Sequence, residues 1–268
     1  MQIDSLFIYP VKSLSGIALP QAQVMRRGVA GDRRWMIVDE GSRFVTRREL
    51  PALAAIRMQA EADGRYRLIG TSGEALLEPE ISSSLKAEVQ VWRDIVDAIV
   101  VENDASRLIS DIAGRSLRLA YMPESTQRLI DPSFASPQDR VSFADGYPIL
   151  VTTQASLAAL NAALDRPVPM ERFRPNVVLS GDVSAWAERG WQAVHTAPLS
   201  LRLAKPCSRC IVITQDHHSG ERHEGNMLPS ALRTLGQSNK EGALFGMNAI
   251  PDREGVICVG DAVSAALL

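Results

Sequence analysis

The sequence predicts a mixed α+β fold dominated by strands, with a barrel-like or sandwich-like N-terminal region over residues 1–120, a second unit over 121–268 and helices at the periphery. Three observations predict it. Short β-prone runs recur through the first hundred residues, each closed by turn formers. Few segments carry a helical pattern. Residues 123–141, with three prolines and many polar groups, read as the longest connection between periodic stretches.

Taken in order, strands are expected near residues 3–8, 35–38, 56–60, 66–69 and 89–92. Gly31-Asp32, Glu40-Gly41-Ser42, Ala62-Asp63-Gly64 and Thr71-Ser72-Gly73 separate them. Asn103-Asp104 can then cap a helix whose Leu108, Ile109, Ile112 and Ala113 share a face before Gly114 ends it. A second helix is expected over 154–163 after Thr152-Thr153, and a third from Pro229 to about Leu235, stopped by Gly236. Strand signals return at 176–179, 199–203, 244–249 and 256–259.

Composition narrows the function. With 46% hydrophobic and 22% charged residues in 268, the chain is ordinary globular material. A net charge of -2 gives no broad basic field, which argues against bulk nucleic-acid binding. No run reaches the roughly 18 apolar residues of a membrane helix. The opening MQIDSLFIYPVKS lacks a basic start and a long apolar core, so it does not read as a signal peptide, and a cytoplasmic location is expected. The cysteines are Cys207, Cys210 and Cys258, an odd number that argues against a secreted disulfide scaffold. Cys258 reads as a small core residue.

Several segments interrupt apolar runs with polar chemistry. In Tyr9-Pro10-Val11-Lys12-Ser13, Pro10 ends strand pairing and leaves Lys12 and Ser13 at the strand's mouth, where an ammonium and a hydroxyl suit a phosphate or a polar ring edge. A solvated turn is the competing reading. Arg33 and Arg34 precede Trp35 on opposite sides of an extended chain, so one can face a pocket and the other water, unless both only pair with Asp32 or Asp39. Pro175 holds Arg174 extended, and Asn176 opens a strand whose burial demands partners for its amide. That amide matches a pterin lactam edge, or backbone alone satisfies it. Asp145-Gly146 and then Thr152 precede a helix start, where free N–H groups form an anion site, or simply a turn and an N-cap.

Lys205-Pro206-Cys207-Ser208-Arg209-Cys210 is the most telling segment. A thiolate is a soft donor for a transition metal, and Lys205 and Arg209 favour the thiolate over the thiol. Because β-branched Ile211-Val212-Ile213 follow, the segment is expected to continue as strand, which disfavours a thioredoxin-type pair. A zinc site drawn from Cys207, Cys210, His217, His218 and His223 is a rival, although the spacing fits no common finger. So is a buried, idle pair.

In order and spacing, LFIYPVKSLSG, GDRRWMIVDE, FVTRRE, RFRPNVVLSG, CSRC, LFGMN and VGDAV resemble the MOSC superfamily, in the branch where an N-terminal MOSC β-barrel region precedes the MOSC domain and whose members include the amidoxime-reducing proteins of mitochondria and bacterial relatives. The resemblance runs through nearly the whole chain. It implies a β-barrel-like region packed on a MOSC β-barrel domain, with a molybdenum cofactor (Mo-molybdopterin) between them. It also implies that Cys210 ligates molybdenum and Cys207 does not. Lys12, Ser13, Arg33, Arg174 and Asn176 are then expected around the pterin and its phosphate, with Asp145, Gly146 and Thr152 contributing. The implied activity is reduction of a small N-hydroxylated substrate. Some relatives end in a ferredoxin domain and this chain does not, so electrons are expected from a separate protein, ferredoxin-like or a flavin or cytochrome reductase. Relatives more often follow the cysteine with paired threonines and an acid, whereas this chain reads Ile211-Val212-Ile213-Thr214-Gln215-Asp216 on the substrate side. The other class that the resemblance leaves open is a sulfur carrier with a persulfide on Cys210.

Overall fold

Ile3, Leu6 and Ile8 all enter one core, although a regular strand would send Ile3 to the opposite face from Leu6. A register shift between Ile3 and Ser5 in strand Gln2–Ile8 reconciles them. This strand does not stay with its sequence neighbours. It pairs antiparallel with Val177–Ser180 on one side and with Ile17–Leu19 on the other. The computed structural model describes residues 1–78, 85–222, 225 and 227–267.

Nine strands form the main sheet, in the spatial order Ser264–Leu267, Trp191–His195, Ser200–Ser208, Gly242–Arg253, Ile149–Thr153, Val177–Ser180, Gln2–Ile8 and Ile17–Leu19, with Ser238–Asn239 attached to Gly242–Arg253. Ile149–Thr153 and Val177–Ser180 run parallel, which requires a crossover, and helix Gln154–Asn161 lies within it. Three smaller sheets complete the fold. Trp35–Val38, Arg118–Tyr121, Asp94–Val101 and Leu85–Val91 form one, and Arg57–Ala60, Tyr66–Gly70 and Gly73–Leu77 another. In the third, Gly255–Cys258 pairs with Gln21–Met25, so the chain's two ends are interwoven. The β-rich α+β expectation holds, but the strands form open sheets; at the ends of the main sheet an isolated bridge, Gln2 to Ala262, links the first strand to the residues before Ser264–Leu267.

The helices obey their capping chemistry. Asn103 accepts from the Ser106 N–H at the start of Asp104–Ala113, and Gly114 closes it with φ +65. Thr153 caps Gln154–Asn161 the same way. The third helix is Met227–Thr234, starting before Pro229 rather than at it. No helix among the described residues is long and apolar enough to cross a membrane.

Several strands escape the sequence reading. One is Asp94–Val101, which forms a hairpin with Leu85–Val91, expected in part at 89–92; the turn contains Trp92 at φ +58 and no glycine, so it carries none of the usual turn signals. Cys258 is half-buried instead of core, because its neighbour Ile257 takes the inward side of the strand. The connection 123–141 contains no strand or helix, as expected. It is pinned where Arg128 donates to the Ser142, Ala144 and Asp145 carbonyls and pairs with Asp94.

Candidate functional site

Pro10 ends the first strand, and the chain turns at Ser13 with φ +76. This loop is stitched to the loop before Trp35: Arg33 N donates to Tyr9 O at 2.8 Å, Lys12 N to Trp35 O at 2.8 Å, and Tyr9 N to the Asp32 carboxylate at 2.8 Å. Phe143 N donates to Arg33 O at 2.9 Å, which brings in the loop that Arg128 pins. Three loops distant in sequence therefore meet.

Between them and the end of strand Ser200–Ser208 lies an open cleft of about 880 Å³. Lys12, Ser13, Arg33, Asp145, Gly146, Arg174, Asn176 and Cys210 all line it, so the structure gathers eight of the nine residues singled out in the sequence. Thr152 is the exception. It is fully buried in the main sheet, with its hydroxyl 3.4 Å from the Met170 sulfur. The helix start that follows holds an internal carboxyl group: buried Glu188 accepts from the Ser156 and Thr153 hydroxyls, with burial raising its pKa against those bonds.

Each cleft cation is held. Lys12 donates to Phe143 O at 2.8 Å and pairs with Asp145 at 2.5 Å; burial lowers its pKa and Asp145 opposes the shift. Arg33 pairs with Asp32 at 2.5 Å and donates to Asn176 Oδ1 at 3.0 Å and Arg174 O at 3.2 Å. Arg34, expected to face water, is instead buried and engages Met122 O and Glu124 on the other side of the chain. Asn176 does not offer a free amide edge. Its oxygen also accepts from Leu150 N, and its nitrogen donates to Phe7 O, so it braces Arg33. Arg174, expected to be extended before Pro175, instead takes a left-handed conformation with φ +55, and it donates to Leu14 O.

Both Arg33 and Arg174 lie over the buried Tyr9 ring, 4.3 and 4.2 Å from its centroid. Gly16 makes room for that ring: a Cβ there would fall 2.5 Å from a Tyr9 ring carbon. Gly16→Ala is therefore expected to cost about 1–3 kcal/mol through overpacking, read from the denaturant midpoint, and to disturb both arginines. An unchanged midpoint would show that the Tyr9 ring can yield.

Sequence reasoning missed part of the basic wall. Arg47 and Arg48 line the cleft after Thr46, and so does Arg172; Arg209, already singled out beside the thiols, lines it too. Arg48 lies 4.4 Å from the Trp92 ring centroid, and Trp92 donates to Asp145 at 3.2 Å, so the unsignalled hairpin reaches the site. Only the juxtaposition Thr46-Arg47-Arg48 after two apolar residues hinted at this. Burial pushes Arg174 down to about 9, aided by Arg33, and Arg47 to about 10, aided by Arg172 and opposed by Asp216. Guanidinium groups stay charged at neutral pH, so these depressions register the cost of like charges gathered in a desolvated space. An anion entering the cleft would relieve it.

Cys207 and Cys210 also line the cleft. Ile211–Thr214 is a 3-10 turn rather than the strand expected from its β-branched residues, and Cys210 precedes it. The turn satisfies burial differently: Ile213 enters a core with Leu228 and Leu232 while Ile211 stays exposed. Cys210 is exposed, and Cys207, half-buried, accepts from Arg209 Nη1 at 2.8 Å. The turn is braced by Arg172 donating to Ile213 O and by Gln215 donating to Arg47 O. Among the described residues no three His, Cys, Asp or Glu side chains are grouped to hold a metal ion, and His223 lies outside them.

Comparison with known proteins matches this architecture. The MOSC N-terminal beta barrel domain matches residues 1–116 and the MOSC domain residues 138–264. The chain is 28% identical to mitochondrial amidoxime-reducing component 1 of Homo sapiens, over 97% of this chain and 82% of that one. It is 29% identical to the Mus musculus protein of the same name, with 97% and 81% covered. Identity to mitochondrial amidoxime reducing component 2 of Bos taurus is 26%, with 97% and 82% covered. The chain belongs to the MOSC family, in the group that joins a MOSC N-terminal domain to a MOSC domain.

Proposed function

We propose that this protein is a molybdenum-cofactor-dependent reductase of N-hydroxylated substrates. The observation that carries the reading is one exposed thiol, Cys210, on the wall of a cleft that also gathers Lys12, Arg33, Arg47, Arg48, Arg172, Arg174 and Arg209. The donor set fits a metal already chelated by an anionic, sulfur-bearing pterin. Soft sulfur suits molybdenum, and the depressed arginines gain from a phosphate. The names of the relatives, amidoxime-reducing components, support the substrate class. When bound, the cofactor supplies the two-electron chemistry that releases the substrate's oxygen as water.

The chain's own residues do the rest. Cys210 would be the single protein ligand to the metal. Lys12, Ser13 and Arg174, with Arg33 held rigid by Asp32 and Asn176, would grip the phosphate and pterin. Asp145 pairs with the Lys12 ammonium at the cleft wall, and beside it Gly146 leaves open space where a side chain would stand. Val212 and Ile213, which line the cleft, would border the substrate side. The three unpaired thiols suit the reducing cytoplasm, with electrons delivered by a separate ferredoxin-like, flavin or cytochrome reductase.

The test is turnover of an aromatic amidoxime with a chemical reductant, using protein from a host that makes the cofactor. Reduction that scales with molybdenum content is expected. Molybdenum-loaded protein without turnover would contradict the reading. In the same preparations Lys12→Ala should lower pterin occupancy, since it removes a cation whose carboxylate partner Asp145 remains. Unchanged occupancy would remove Lys12 from the cofactor's surroundings.

A further inference from the structure

Behind Arg33, on the other side of the same segment, lies a second cavity of about 820 Å³. Consecutive residues divide between the two spaces: Arg33 lines the first and Arg34 the second. Arg26, Arg27 and Arg140 also line the second, against the carboxylates Glu124 and Glu254. Two donors there lack partners among the described residues. Ser142 is 2% exposed, and its Oγ makes no hydrogen bond. Arg27 Nη1 is likewise buried and unpaired, while its Nη2 is fixed by donating to Thr126 O at 2.8 Å and Glu124 O at 3.2 Å.

We propose that this second cavity binds the phosphate group of a small phosphorylated molecule. Buried donors without acceptors are costly, and several guanidinium groups with a hydroxyl suit a group offering oxygens in several directions. Burial lowers the Arg27 pKa, and Arg34 and Arg140 lower it further, so an entering anion gains from all three. Glu124 occupies the anion's place: it pairs with Arg34 and lies 4.0 Å from Arg27 Nε, yet its side chain is 71% exposed. An exposed carboxylate is weakly held and can be displaced. Met25, Val29 and Ala30 give the cavity an apolar wall for the rest of the molecule. This site is separate from the Cys210 cleft and does not depend on the reading of that cleft.

The experiment is calorimetric titration of the purified full chain with inorganic phosphate at constant ionic strength. A saturable site is expected. Arg140→Gln should weaken it roughly tenfold, the loss of one charge-assisted hydrogen bond. Glu124→Gln should tighten it by about two- to fivefold, because it removes the competing carboxylate. The second variant gains binding, so a failure to fold cannot imitate it. The proposal is overturned by the absence of saturation, by weaker binding in Glu124→Gln, or by phosphate binding that ignores both variants and is lost in Arg174→Ala.

Discussion

Cys210→Ser protein is expected to lose at least about 100-fold of its reductase activity and to retain molybdenum poorly. Removing even a group that merely orients a metal ligand costs about 10–100-fold in affinity or activity, and the ligand itself should cost more. Serine keeps the shape but replaces a soft sulfur by a hard oxygen. The fold should be unaffected. Cys210 is exposed at the start of the 3-10 turn, and its side chain caps nothing, so stability should change by no more than about 0.5 kcal/mol. Cys207→Ser is the matched control. A serine hydroxyl can still accept from Arg209, so activity and metal content should stay near wild type. Equal loss in both variants, measured as turnover and metal per chain, would point to a paired-cysteine site instead.

The second large effect is expected from Arg174→Ala. Arg174 is half-buried, lies over Tyr9 and donates to Leu14 O. Its burial beside Arg33 already lowers its pKa to about 9. A charge-assisted bond contributes about 1.5–3 kcal/mol, so its loss should weaken cofactor binding by roughly 10–150-fold. The variant keeps the Cys210 turn, whose braces come from Arg172 and Gln215. Pterin content should therefore fall while residual holoprotein still turns over. Full pterin occupancy would mean that Arg174 serves the Tyr9 stack alone.

Legibility in the sequence followed the range of the interactions. Helix Asp104–Ala113 was readable because Asn103 and Gly114 write its ends locally. The cleft residues were readable as polar interruptions in apolar runs, and the order of motifs joined them. What failed was set by distant contacts. The turn Ile211–Thr214 breaks its β propensity because only Ile213 has a core to enter. Asn176 looked free to read a ligand, but Arg33 and Leu150 claim its oxygen from far along the chain. Thr152 looked like a helix-start anion ligand, yet the cap is Thr153 and the carboxylate there is Glu188. The Arg47 and Arg48 wall depends on a hairpin whose Trp92 turn carries no glycine.

The central claim is tested most directly by X-ray absorption at the molybdenum edge on protein from a cofactor-producing host. The account predicts a sulfur shell made of the pterin's dithiolene pair plus one thiolate from Cys210. A shell holding the dithiolene pair alone would contradict it, and so would protein from that host that carries stoichiometric zinc and no molybdenum.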